Sequence, residues 1–199
     1  MPEGAGAGPG HSLWRFIRLA ALLLVAYVVL RRLAAILGEP AMVLPPPAER
    51  EPFRAEVLLP DLQGAPIRLA DLRGRPVLLN FWAVWCAPCR EEIPSMQALY
   101  ERYYPRGLAL LAIANDSQGA AVVRPFVQTH RVTFPVLLDP QNVVSGQLQI
   151  PGIPTTYVLD KQGRIAGFAL GARDWNSAEM HQFFEQLLVE TETLALPGR

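Results

Sequence analysis

Cysteine is almost missing from this chain: Cys86 and Cys89 are the only two in 199 residues. Histidine is nearly as scarce, with His11, His130 and His181 each standing alone. A zinc site using the cysteines would need a second Cys or His pair at ligand spacing, and no such pair exists. Net charge is also absent, at a formal value of zero, so no basic balance points to nucleic acid. Lysine is reduced to Lys161 in a basic complement of 18 that is otherwise arginine, which by itself assigns no function. No internal repeat is visible. What remains is a chain 51% hydrophobic, long enough for one globular domain with an extra segment at its N-terminus.

That extra segment has three parts. Residues 1–12 are rich in Gly, Pro and Ala and are expected to be disordered. Residues 13–37 read as a transmembrane signal-anchor around the apolar run Leu19–Leu30, flanked by Arg15 and Arg18 before it and Arg31 and Arg32 after it. As a helix the run covers about 18 Å, short of a hydrocarbon core of about 30 Å. Counting from Phe16, with arginines snorkelling outward and Trp14 at the interface, brings a span within reach. A cleaved signal peptide is the alternative, but Arg31-Arg32 and the renewed apolar stretch Leu33–Leu37 make a poor processing site. Two arginines at each end leave the orientation undecided by charge. Residues 38–52, with three consecutive prolines at 45–47, read as a Pro-rich linker, either an extended stem or an irregular arm leading into the domain.

The chemistry sits at Cys86-Ala87-Pro88-Cys89, at the end of the apolar run from Pro76 to Trp85. Two thiols separated by two residues, where a strand gives way to a helix, can form and reopen a disulfide with little backbone motion. The thiolate is the nucleophile, and unsatisfied N–H groups at a helix N-terminus favour it, so a lowered pKa is expected for Cys86. Cys89, one turn further in, is expected to resolve the mixed disulfide. Pro88 suits the first helical turn. A purely structural bridge closing so short a loop would gain little from chain entropy.

From Phe53 the periodicity alternates between strand and helix. A hairpin is predicted over 56–59 and 66–69, buried strands over 76–82 and 108–114, and further strands over 134–138, 155–159 and 165–170. Helices are predicted over 87–104, kinked at Pro94, over 119–130, and over 177–190 with Asn176 as N-cap. The result is an α/β sandwich with a mixed sheet.

The stretch from Leu79 to Pro94 (LNFWAVWCAPCREEIP) and the segment from Gly152 to Asp160 (GIPTTYVLD) resemble the thioredoxin fold. More narrowly, they resemble the TlpA/ResA group of membrane-anchored thiol–disulfide oxidoreductases. The resemblance implies a thioredoxin-like domain over 53–193, with an N-terminal β-hairpin and a central βα insertion, followed by a tail at 194–199. It implies that Cys86 is the nucleophile, Cys89 the resolving thiol and Pro154 a cis-proline facing the disulfide. It also makes Ile153 a source of backbone hydrogen bonds for an extended substrate, with Trp85 and Thr155 as further substrate-facing positions. Thioredoxins carry a buried aspartate six residues before the first cysteine, where this chain has Asn80. The TlpA/ResA group instead has an acid six residues after it, here Glu92, and Cys89 and Glu92 share a helix face at i, i+3. Partial desolvation there would raise the pKa of Glu92 and suit it to accept the Cys89 proton. Glu91 reads as a solvated neighbour and Arg90 as either a thiolate partner or a solvated side chain.

The resemblance further implies a protein disulfide reductase in the bacterial cytoplasmic membrane, its catalytic domain on the periplasmic or extracytoplasmic side. No cofactor is expected beyond the redox-active pair. The partners would be disulfide-containing client proteins, as in cytochrome c or oxidase maturation, and a transmembrane thiol electron donor of CcdA/DsbD type. Two other activities compete. A peroxiredoxin-type peroxidase would need Pro and Thr where this chain has Leu79 and Ala83. A Cu(I)-binding metallochaperone would need a soft ligand beside the cysteines, for which His130 and Met96 are the candidates.

Overall fold

The computed structural model describes residues 10–37 and 42–190. The start of the expected disordered segment at 1–9, residues 38–41 of the linker, and everything from 191 onward, including the tail at 194–199, lie outside the described residues.

The chain divides into two units, Met1–Pro40 and Ala41–Arg199. In the first, the apolar run is helical: α1 spans Gly10–Leu37. Every side chain described on it, from Trp14 to Val29, is exposed. Among the described residues no helix is long and apolar enough to cross a membrane. The side chains described on α1 cover about 24 Å of helix, against a hydrocarbon core of about 30 Å.

In the second unit a two-stranded hairpin, β1 (Leu58–Pro60) and β2 (Pro66–Arg68), precedes the main sheet. Its turn forms because Asp61 Oδ1 accepts the N–H groups of Gln63 and Ala65, both at 2.8 Å, and Gly64 takes a φ of 87°. Then follow β3 (Val77–Trp82), α2 (Ala87–Tyr103), β4 (Ala109–Ala114), α3 (Ala120–Thr129), β5 (Val136–Leu138), α4 (Val143–Gln147), β6 (Thr155–Leu159), β7 (Ile165–Leu170) and α5 (Ala178–Val189). The five-stranded sheet has the order β5-β4-β3-β6-β7. Strand β3 is parallel to β4 and antiparallel to β6, with Phe81 opposite Thr155 and Asn80 opposite Thr156. All six residues of β3 and of β4 are buried, which explains why both strands are apolar apart from Asn80.

One face of the sheet, through Leu78 and Trp82, packs on Ile93, Met96 and Leu99 of α2 and on Phe183, Phe184 and Leu187 of α5. The other, through Leu79, Phe81, Leu111 and Ile113, is covered by Val57 and Leu59 of the hairpin region and Val144 of α4. This is the α/β sandwich that the sequence predicts. The cysteine-bearing helix starts where the central strand ends.

Three local features differ from the sequence reading. Residues 42–52 are not an extended stem; they are bound along the domain. Met42 is buried and its N–H donates to Glu179 Oε1 at 2.7 Å. Arg50, 5% exposed, pairs with Asp160 at 3.2 Å and Glu190 at 2.6 Å, while its Nε donates to the Pro45 carbonyl. A buried guanidinium requires such partners, and they anchor the arm. The N-cap of α5 is Ser177, whose Oγ accepts the Met180 N–H; the Asn176 N–H is turned to Asp174 Oδ1. Helix α4 is unanticipated and is nucleated by the Asp139 carboxylate, which accepts the N–H groups of Val143, Val144 and Ser145. Helix α2 includes Pro94, as the sequence predicts.

Replacing Arg50 by alanine leaves the buried Asp160 carboxylate without its counter-charge. The expected loss is about 3 kcal/mol of unfolding free energy, read as a lower urea midpoint at unchanged m. A change below about 0.5 kcal/mol would mean the arm is held by something else.

Candidate active site

Cys86 is the N-cap of α2, with extended backbone angles, and Cys89 lies on the first turn. The two are joined in a disulfide, Cα to Cα 5.3 Å. Cys86 Sγ accepts the Cys89 N–H at 3.3 Å, so one of the orphan donors of the helix end points at this sulfur. Cys89 is fully buried and Cys86 nearly so, at 5%. Beside them Trp85 projects into solvent, 68% exposed.

The loop opposite the disulfide contains the Ile153–Pro154 peptide, which is cis as the resemblance implies. The Ile153 carbonyl oxygen lies 3.8 Å from Cys86 Sγ. Thr155, expected to face a substrate, does not: its side chain is fully buried and its Oγ1 donates to the Gly152 carbonyl at 2.6 Å. It shapes the loop and leaves Ile153 and Pro154 to front the cysteines.

Glu92 is buried beneath this surface, 3% exposed. Its Oε1 accepts Asn80 Nδ2 at 2.8 Å; its Oε2 accepts Trp175 Nε1 at 2.9 Å and the Arg173 N–H at 3.2 Å. Asn80 Nδ2 also donates to Thr156 Oγ1. The residue that replaces the thioredoxin aspartate is thus a donor that orients the glutamate. Neither this link nor Trp175 is visible in the sequence, where Trp175 is 83 positions away from Glu92.

Sequence reasoning also missed Asp116. Its carboxylate, 3% exposed at the end of β4, accepts the Val84 N–H through both oxygens at 3.0 and 3.2 Å. Arg90, left open between two roles, donates from Nη1 to the Val84 carbonyl at 2.9 Å. Val84 is therefore held at both polar groups, and Cys86 N–H closes the turn onto the Ala83 carbonyl. The only warning in the sequence is an Asp just past a buried strand. Burial pushes the Asp116 carboxyl above its ordinary value of 3.8, and the Val84 N–H partly offsets this.

The candidates for the competing activities are placed as follows. Leu79 and Ala83 are fully buried, and so is Met96, in the core. His130 stacks on Phe126 with ring centroids 3.9 Å apart, its Nδ1 2.9 Å from the Phe126 carbonyl. Among the described residues no group of three or more His, Cys, Asp or Glu side chains could hold a metal ion.

The model of the AhpC/TSA family matches residues 53–168. The thiol-disulfide oxidoreductase ResA of Geobacillus kaustophilus (strain HTA426) is 36% identical over 126 residues, 63% of this chain and 72% of that protein. The thioredoxin-like protein YneN of Bacillus subtilis (strain 168) is 38% identical over 115 residues, 57% of this chain and 66% of that one. Among solved structures, StoA from Bacillus subtilis aligns with a TM-score of 0.54 at 27% identity, over 61% of this chain and 91% of its own. A DsbF homologue from Corynebacterium diphtheriae aligns at 0.63 and 27%, over 75% and 95%.

Because the folded carboxyl of Asp116 titrates above its unfolded value, its stabilising balance is complete below 3.8 and is lost as the pH rises through the folded pKa. The stability of Asp116→Asn relative to the wild type should accordingly improve between acid and neutral pH. Urea unfolding at both ends of that range checks it; a difference independent of pH would contradict the assignment.

Proposed function

Since this chain belongs to the AhpC/TSA family and is a ResA-like thiol–disulfide oxidoreductase of the thioredoxin superfamily, we propose that it is a membrane-anchored protein disulfide reductase acting on extracytoplasmic clients through Cys86 and Cys89. The observation that carries this reading is the asymmetry of the pair. Cys86 sits at the helix end beside the Ile153 carbonyl, while Cys89 is sealed behind it.

In the reduced protein, the Cys86 thiolate attacks one sulfur of a client disulfide. The client S–S bond breaks, a mixed disulfide forms and one client thiolate leaves. Cys89 then gives up its proton and attacks Cys86 Sγ. The Cys86–Cys89 bond closes and the second client thiolate departs, so two electrons have passed to the client. Glu92, three residues after Cys89 on the same helix face, is the acceptor for the Cys89 proton. An extended client strand lies along Ile153 and Pro154, with Trp85 against its side chains. Rereduction falls to a transmembrane thiol donor of CcdA/DsbD type, because an oxidising compartment supplies no electrons to this pair. The exposed apolar side chains of helix α1 make it the candidate anchor, and the bacterial cytoplasmic membrane, with the domain on the outer side, is what the resemblance to the TlpA/ResA group implies. Clients in cytochrome c or oxidase maturation suit a general reductase of this kind.

Two measurements test the reading. The reduction potential of the Cys86–Cys89 pair, set against glutathione or dithiothreitol buffers with Trp85 fluorescence as probe, is expected near or below about −270 mV. A value near about −120 mV would make the protein an oxidant. Separately, Glu92→Gln should slow resolution by Cys89 roughly hundredfold while leaving attack by Cys86 intact. Equal losses in both steps would remove Glu92 from the proton path.

A further inference from the structure

At the end of the sheet remote from the cysteines there is a second concave site. Strand β3 leads from Val77 to Trp82 and on to Cys86, and antiparallel β6 finishes at Leu159 beside Val77. Around that far end, the segments 53–58 and 69–75 leave a cavity of about 270 Å³. Its floor is apolar, made by the buried side chains of Val57, Val77 and Leu159, with half-buried Leu69 and Leu72 as walls.

Four arginines, Arg54, Arg68, Arg73 and Arg75, stand around this floor. Two of them are committed elsewhere: Arg75 donates to the Gly107 and Leu108 carbonyls and lies over the Tyr104 ring, and Arg73 donates to the Gln162 carbonyl. Arg54 and Arg68 are exposed, and among the described residues neither guanidinium has a hydrogen bond or an ion pair. The acids at the wall do not cancel this charge. Asp160 is occupied by Arg50 and by the N–H groups of Gln162 and Arg164, and Glu56 is exposed and forms no ion pair with either arginine.

An uncharged apolar molecule would fill the floor and ignore the guanidiniums; inorganic phosphate would do the reverse. A phosphate monoester brings nearly two negative charges and three terminal oxygens to two guanidiniums, where a carboxylate brings one charge and two oxygens. The volume is close to the lower end of the range for ligand pockets, roughly 300 Å³, which limits the apolar part to a short chain or single ring. We propose that this cavity binds a small phosphate ester with an apolar substituent, the phosphate between Arg54 and Arg68 and the substituent on Val57, Val77 and Leu159. Such a head group belongs equally to a soluble ester and to an anionic membrane lipid.

Hydrogen–deuterium exchange on the full chain in a neutral detergent tests this. Hexyl phosphate should slow exchange across residues 53–77, and hexanol and inorganic phosphate should protect far less. The double substitution Arg54→Ala/Arg68→Ala should weaken the hexyl phosphate midpoint by about tenfold or more, as expected for losing charge-assisted hydrogen bonds. Leu72→Phe, which narrows the cavity and keeps both arginines, should weaken it too. Thiol–disulfide exchange should be unchanged in these variants, which separates this site from the cysteine chemistry. Nanodiscs then distinguish the sources. Protection with phosphatidylglycerol and not phosphatidylcholine identifies a lipid head group, and protection by hexyl phosphate alone identifies a soluble ester. No protection by hexyl phosphate, equal protection by hexanol, or a midpoint unaffected by the double substitution would overturn the proposal.

Discussion

Glu92 is a carboxylate withdrawn from water on the helix that carries both cysteines, and such a group must be met by donors. The donors come from two distant places: Asn80 on the central strand, and Arg173 and Trp175 in the segment between β7 and α5. Because Glu92 lies three residues after Cys89 and six after Cys86, whatever holds it also sets the rotation of α2 and the direction in which both sulfurs face. Asn80 Nδ2 reaches Thr156 at the same time. The strand that follows Pro154 is therefore referenced to the same amide as the cysteine helix. Cys86, Cys89 and the proline loop keep their relative positions through one side chain on β3.

A second constraint acts on the short link between β3 and α2. With its N–H on Asp116 and its carbonyl on Arg90, Val84 has no polar group left to relax toward. Trp85 is the next residue, and its exposure follows from the turn being fixed rather than from any lack of apolar surroundings. Two buried carboxylates, Glu92 and Asp116, thus flank the start of α2. The first accepts N–H groups from Asn80, Arg173 and Trp175, whereas the second has the Val84 N–H and is pushed above its ordinary value by burial. The unsatisfied N–H groups of the helix end act in the opposite sense on the same sulfur.

The features legible in the sequence were those written locally. The buried strands are continuous apolar runs, the helices carry their own period, and the cysteine pair stands at a strand-to-helix junction, so β3, α2, β4, β6 and β7 fell where periodicity put them. Glu92 was legible mostly through the resemblance, with its spacing from Cys89 in support. Its partners were not, because no local pattern joins residue 80 or 175 to residue 92. Thr155 was misread for a related reason: a hydroxyl beside a proline loop looks available until the Gly152 carbonyl is seen to occupy it. The arm from Met42 to Pro52 has the composition of a stem. Only the pairing of Arg50 with Asp160 and Glu190, each more than a hundred residues away, turns it into part of the domain. Ser177 and Asn176 are equally good N-caps by type, and the choice between them was made by Asp174 taking the Asn176 N–H.

The near absence of lysine acquires a physical meaning in this setting. Loops leave backbone carbonyls without strand or helix partners, and a guanidinium can serve several acceptors from one planar group where an ammonium is a strongly hydrated point charge. Arg50 reaches Pro45, Arg73 reaches Gln162, Arg75 reaches Gly107 and Leu108, Arg90 reaches Val84, Arg124 reaches Leu62 and Arg164 reaches Pro47. Apart from that of Arg90, these bonds lie in the arm, at the hairpin turn and in the turns between strands and helices. The single lysine behaves the same way, with Lys161 Nζ on the carbonyls of Leu188 and Glu190 at the end of α5. Six of the arginines thus tie irregular backbone together, each giving one or two of its five N–H donors to these carbonyls. Arg54 and Arg68 make no such bond, and what distinguishes them from other unbonded arginines such as Arg102 and Arg131 is that they stand together around one apolar floor, which is the mark of a binding surface rather than a loop fastening.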